Sequence, residues 1–284
     1  MSTLSTGFKT EPSQTATIGL LMLIGALAVT WVGINLAFPG LMATGIPSFV
    51  TRLAIHVAIL TGLWLGLSRT DFSASKRVII WLSVAVVLTV WLAVVWNLAV
   101  NGVFQPLPGA RLPKLPIAIF APVLIGLFVL LRSKSIAAFL DATPASWLVA
   151  LQVYRIVGGI FLVNWAHGTA AGVFAWPAGI GDMLTGIMAL PVALQLASGA
   201  ENGRKAAMAW NIFGLLDFAV ATIMGVLSTP GPLQIFGLDI PSSSLGAFPT
   251  VLTPTFAVPS SILLHALSIW QLRRIGRTAA PKQI

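Results

Sequence analysis

A chain of 284 residues that is 57% hydrophobic and 8% charged has too little polar surface to cover a water-facing globule of its size, where soluble domains carry about 25% charged residues. A soluble enzyme, a disordered chain and a collagen-like chain are excluded, and the absence of Cys removes disulfides, thiolate metal sites and cysteine nucleophiles. Sixteen Lys+Arg against seven Asp+Glu give +9; these charges flank apolar runs and are not interleaved with aromatics, so they indicate membrane topology and no nucleic-acid partner.

Residues 1–16 form a polar, Ser/Thr-rich tail. It lacks the basic n-region and small-residue cleavage site of a signal peptide, so the apolar run after it is expected to stay as a first helix. About 20 apolar residues cross the hydrocarbon core of a bilayer. Eight stretches reach or approach that length, at 17–38, 47–68, 77–100, 115–132, 144–166, 174–198, 205–228 and 257–274. The predicted fold class is all-α, a polytopic bundle of about eight transmembrane helices over 17–274 with a basic tail at 275–284. A weak parallel repeat relates halves 17–134 and 144–274: in each, a second helix opens with a Pro followed five residues later by a charge (Pro47 and Arg52, Pro177 and Asp182).

With the N-terminus inside, twelve of the sixteen basic residues fall on the cytoplasmic side: Lys9, Arg69, Lys76, Arg77, Arg132, Lys134, Arg204, Lys205, Arg273, Arg274, Arg277 and Lys282. The outer loops hold only Arg111 and Lys114. The expected placement is a multi-pass protein of the plasma (inner) membrane with both termini cytoplasmic. The outer loops 101–114 and 229–256 are long, rich in Pro and Gly, and carry Phe104, Ile235, Phe236 and Phe248. Such loops act either as lids and docking surfaces or as plain caps on the bundle.

Chemistry is sought in the polar groups of the apolar spans, since a charge at the bilayer centre costs about 2.5–3.5 kcal/mol. Arg155 lies halfway along the fifth span, Asp217 halfway along the seventh, and Asp182 in the sixth nearer the outer side. Arginine keeps its proton and pairs well with carboxylates, so Arg155 is expected to contact one or both Asp residues. A carboxylate without its own cation, unless Arg52 supplies one, is what a proton-coupled carrier requires. Gly158, Gly159, Gly179, Gly186 and Gly214 would let backbones approach beside these charges, and Pro177 and Pro191 are expected to break the sixth helix at both ends.

The outer half also holds Asn164, His56, His167 and His265. Helices five to eight are expected to surround an outward-facing polar cavity lined by Asp182, Asn164, His167 and His265 and floored by Arg155 and Asp217. Arg52 and His56 are expected to contribute to it from the second helix. Two neutral His on facing helices could ligate haem b or a metal ion, although no H-x-x-x-H or E-x-x-H spacing supports this, and hydrogen bonding to neighbours is the plainer role. No Lys lies inside a span, which excludes a retinal Schiff base, and no P-loop is present, which argues against an ATP-driven pump. Three readings stay open; whether any of them involves catalysis is left open, and a non-enzyme is the expectation. In the first, the chain carries a small polar solute or ion by way of Arg155, Asp182, Asp217, Asn164 and Arg52. In the second, it is a redox subunit with His ligands. In the third, it is a scaffold that acts in a homo-oligomer or with a partner subunit.

Overall fold

The computed structural model describes residues 13–105, 114–199 and 202–278. The polar tail 1–12, the loop stretch 106–113 with Arg111, and the end of the basic tail, 279–284, lie outside them. In chain order the helices are α1 (Gln14–Ala37), the short α2 (Pro39–Ala43), α3 (Ile46–Leu67), α4 (Ala74–Val100), α5 (Lys114–Arg132) and α6 (Lys134–Ala142). There follow α7 (Ala145–Ala150) and α8 (Ile160–Ala166), joined by a 3-10 stretch (Leu151–Gly159), then α9 (Gly172–Ala197), α10 (Gly203–Ser228) and α11 (Val258–Thr278), the last entered through a π stretch (Thr253–Ala257). Eight of these spans are long and apolar enough to cross a membrane, and no strand occurs among the described residues. The chain is an all-α, multi-pass membrane bundle. The predicted span edges fall within four residues of the observed ones.

Serines start several helices. The Oγ of Ser13, Ser73 and Ser133 accept from the amides of Ala16, Lys76 and Ile136 at 3.1, 3.3 and 3.2 Å, which satisfies N–H groups that a first turn leaves unpaired. The third of these caps opens α6, a segment the sequence leaves as a loop. Ile136, Phe139 and Leu140, at helical spacing, bury one face of α6 against α3 at Gly66. Gln271 of α11 donates to the carbonyls of Leu140 and Thr143 at 2.5 and 2.6 Å, closing the C-terminal end of α6.

The fifth and eighth spans form the centre of the bundle. Of their most apolar windows 61% and 67% are buried, against 11% for α1 and α4. Met22, Val87 and Leu124 are 70%, 67% and 66% exposed, an arrangement stable only where lipid covers them. Around the two central spans stand α1, α9 and α10 on one side and α3, α4 and α5 on the other.

Both central spans depart from α geometry. A 3-10 run of nine residues is unusual, because such runs rarely exceed three or four residues and often mark functional places. Side chains three apart eclipse in it, so Gln152, Arg155 and Gly158 line up on one buried face. By contrast α9 runs unbroken through Pro177 and Pro191, so the break expected at those prolines does not occur. Membrane helices tolerate Pro because neighbouring helices re-satisfy the freed carbonyls.

The chain beyond α10 packs as a cap on the face opposite the described chain ends, called here the loop face. The Ser242 and Ser228 hydroxyls lie 2.8 Å apart, the Ala171 amide donates to Ser242 Oγ at 3.1 Å, and the Ser244 amide donates to the Thr169 carbonyl at 3.1 Å. Leu245, Val251 and Leu252 are buried, and Phe104 from the other long loop is buried beside them with its carbonyl against Gly246. Phe248 packs on Trp96, with centroids 5.5 Å apart, and on Gly45, whose φ of +74° suits a residue without Cβ. Leu233, Ile235, Phe236, Leu238 and Ile240 stay exposed on this cap.

Candidate functional site

Midway through the fifth span, Arg155 reaches three other helices and is 2% exposed. Its Nε donates to Asp182 Oδ1 of α9 at 2.7 Å and its Nη2 lies 2.6 Å from the same oxygen, while Nη2 also pairs with Asp217 Oδ2 of α10. Its Nη1 donates to the Gly214 carbonyl at 3.2 Å and lies 3.1 Å from Nε2 of His265 on α11. The guanidinium sits over the Phe218 ring, 3.8 Å from its centroid. All five donors of the fork are thus directed at acceptors, and one arginine holds four helical spans together.

The bonding fixes a direction through the network. Arginine only donates, so His265 Nε2 accepts, and the proton on Nδ1 goes to Asn211 Oδ1 at 2.9 Å. The Asn211 amide nitrogen then donates to Ser268 Oγ at 3.0 Å and to the Ala207 carbonyl at 2.7 Å. Trp210 closes this side, its ring 4.9 Å from His265 and its Nε1 donating to the Thr185 carbonyl at 3.0 Å. On the neighbouring face Tyr154 and Ser261 hydroxyls are 2.7 Å apart, and Gln152 Nε2 donates to the Ser261 carbonyl at 3.0 Å.

Three glycines on three spans make room for these groups. A Cβ at Gly158 would occupy the place of the Asp182 carboxylate, and one at Gly181 that of the Asp217 carboxylate. At Gly214 it would lie 2.5 Å from His265 Nε2 and 2.8 Å from Arg155 Nη1.

Asp182 also borders a cavity of about 310 Å³ that opens on the loop face and separates α5 from α10. Its walls include Phe104, Phe161, Phe174 and Phe218; Thr229 to Leu233, Gln105 and the exposed Lys114 lie toward the loop face. A larger recess, about 610 Å³, lies between α3 and the central spans but carries no carboxylate or basic side chain. The sequence expectation of a polar lining from Asn164, His167 and His265 is corrected: none of the three borders the cavity. Asn164 donates to Thr250 Oγ1 at 3.2 Å, His167 is exposed in the turn after α8, and His265 faces the ion pairs. The walls are mainly phenylalanine and aliphatic side chains, with the hydroxyls of Thr222 and Thr229 among them.

Arg52 is buried in α3 but does not join the cluster. Its Nη1 donates to Thr51 Oγ1 at 2.7 Å, its Nη2 pairs with Thr253 Oγ1, and its Nε has no partner. No carboxylate pairs with it among the described residues, so Asp182 and Asp217 have Arg155 as their sole cation there. Among the described residues Arg52 therefore does not supply the second positive charge that the sequence leaves open for it. His56 lies 3.2 Å from Thr89 Oγ1 through Nε2 and stacks on Phe256 at 6.5 Å. His265, with both ring nitrogens engaged, has none free for haem iron or a metal. Among the described residues no group of three or more His, Asp or Glu is placed to hold a metal ion.

Sequence reasoning missed Asn211, Phe218 and Gly181. Asn211 carried a readable signal, a lone amide in an apolar span. Phe218 and Gly181 carried none apart from lying beside Asp217 and Asp182.

Residues 112–273 match the family described as Domain of unknown function (DUF8737), a stretch that contains Arg155, Asp182, Asp217, Asn211 and His265 and leaves out Arg52 and His56. No curated protein and no solved structure matches the chain.

Proposed function

We propose that this chain, which belongs to the DUF8737 family, is a proton-coupled carrier of a small solute, with Asp182 and Asp217 as coupling groups and Arg155 as their partner. The observation that carries the reading is one buried cation shared by two buried carboxylates at the end of a cavity. Stapling helices together needs one carboxylate per arginine. A second, in membrane interior, is costly unless its proton or a bound ion comes and goes.

The carrier is oriented with both chain ends in the cytoplasm of a plasma membrane, which places the cavity mouth outside. A reporter fused after Ile284 is expected to be active only as a cytoplasmic reporter, and one inserted near Ser243 only as an external one. Activity of the opposite kind at either place overturns the orientation.

The function is tested in vesicles loaded with a pH-sensitive dye, with a pH gradient imposed and polar, cationic and anionic solutes added one at a time. At least one solute should discharge the gradient through the wild-type protein, and Asp182→Asn or Asp217→Asn should abolish that discharge. Discharge unchanged in both variants, or found with no solute, defeats the carrier reading. A scaffold then takes its place, a role favoured by the exposed apolar residues Leu233, Ile235 and Leu238 on the cap.

A further inference from the structure

We infer that the ligand of this cavity is a monovalent organic cation with an apolar body, bound with its charge at Asp182 and its body among the phenylalanine rings, in exchange for one proton. The inference rests on the carrier reading and narrows its substrate to a chemical class.

The charge balance is the first argument. With Arg155 against Asp182 and Asp217, the cluster carries one negative charge whenever both carboxylates are ionised. The groups facing it from each packed element do not cancel that charge. Tyr154 is engaged with Ser261, and His265 accepts from Arg155 and is neutral in that arrangement. Lys114 of α5 stands exposed toward the loop face. Helix α1, which also packs on α9, presents no titratable side chain. Arg52, the other buried arginine, is spent on Thr51 and Thr253. One positive charge is wanted, and a proton or a cation can supply it, one at a time. Entry of the cation with release of the proton leaves the charge of the site unchanged.

The walls decide the rest of the ligand. A neutral polar solute would lose its water against phenylalanine and aliphatic side chains and gain few hydrogen bonds in return. An anion would meet a carboxylate. A cation with an apolar body meets a carboxylate at one end and ring faces along the cavity, the arrangement by which aromatic pockets hold ammonium groups. Asp182 is the one carboxylate among the cavity's described lining residues, and Arg155 Nε and Nη2 both lie on its Oδ1. A volume of about 310 Å³ suits a ligand at the small end of the usual range of about 300–1,000 Å³.

The test is equilibrium binding of radiolabelled benzyltrimethylammonium to the purified full chain. The competitors are neopentylbenzene, its neutral carbon isostere, and benzenesulfonate. The expected result is binding at about pH 8 that weakens at least about tenfold at about pH 5, where protons compete. In weakly buffered solution about one proton should be released per cation bound at about pH 5, where the site holds its proton beforehand, and about none at about pH 8. Asp182→Asn should weaken binding at least about tenfold. Ala221→Leu, which fills a wall of the cavity and leaves the ion pairs alone, should remove binding without lowering the melting temperature, so lost binding there is not misfolding. Competition by the neutral isostere or by the sulfonate as strong as by the cation overturns the inference, as does binding indifferent to pH and to Asp182. In the vesicle assay, a neutral or anionic solute that discharges the gradient where this cation does not would defeat the substrate class and leave the carrier standing. Discharge by no solute defeats both.

Discussion

Replacing Arg155 by Leu should destabilise the bundle by about 3–5 kcal/mol, the range measured when one partner of a buried ion pair is removed. The substitution takes the sole paired cation from Asp182 and Asp217, which are 6% and 9% exposed. It also leaves His265 Nε2 and the Gly214 carbonyl without their donor and uncovers the Phe218 ring. Adding Asp182→Asn and Asp217→Asn removes both stranded charges while keeping side-chain volume. The triple variant should therefore melt above Arg155→Leu alone, despite carrying more substitutions. Thermal unfolding in detergent, followed by circular dichroism, reads the order directly. If the single variant unfolds at or above the temperature of the triple, burial of unpaired charge is not what governs this part of the core.

The legibility of the molecule in its sequence follows the strength of the physical constraint. Bilayer thickness sets the length of every span, so the eight helices could be placed to within a few residues. Helix α6 is nine residues long, too short for that constraint to reveal it, although Ser133 ahead of Ile136, Phe139 and Leu140 is a capped amphipathic pattern. The prolines point to α9 as the broken helix, yet the irregular backbone lies at Leu151–Gly159 and Thr253–Ala257. Gly158 and Gly159 weaken α propensity in the first of these, and tertiary packing decides the outcome. The pairing of Arg155 with carboxylates was readable because an arginine in hydrocarbon has few other ways to be satisfied. The partners of His265 were not: Asn211 and Arg155 lie 54 and 110 residues away, and sequence distance says nothing about which faces of two helices meet. The cavity was the least readable feature. A phenylalanine in an apolar span looks the same whether it faces lipid, a neighbouring helix or a void, so polar residues were expected where Phe161, Phe174 and Phe218 stand.

Gly181→Ala should cost about 1–3 kcal/mol through overpacking and should loosen the Arg155–Asp217 pair with it. Residues 181 and 182 are consecutive on α9 and serve opposite neighbours. Asp182 enters the space left by Gly158 on the fifth span, and Gly181 leaves the space that Asp217 enters from α10. Helix α9 thus offers a charge to one side and a hole to the other, and a single methyl group at position 181 falls on the Asp217 carboxylate. Both carboxylates share Arg155, so displacing Asp217 shifts the whole cluster. Shortening the intruding side chain should relieve the clash. The double variant Gly181→Ala with Asp217→Ala should be less destabilised than the sum of the two single changes, with a coupling of about 0.5–3 kcal/mol. Gly25→Ala on α1 provides the contrast, since nothing lies within 4 Å of its Cβ position. That change should be neutral or stabilising by up to about 1 kcal/mol, the helix-propensity gain of Ala over Gly. Melting temperatures of the four variants in one detergent decide the matter. Equal melting of Gly181→Ala and Gly25→Ala, or simple additivity in the double variant, would mean that α9 and α10 do not meet as closely as a shared arginine requires.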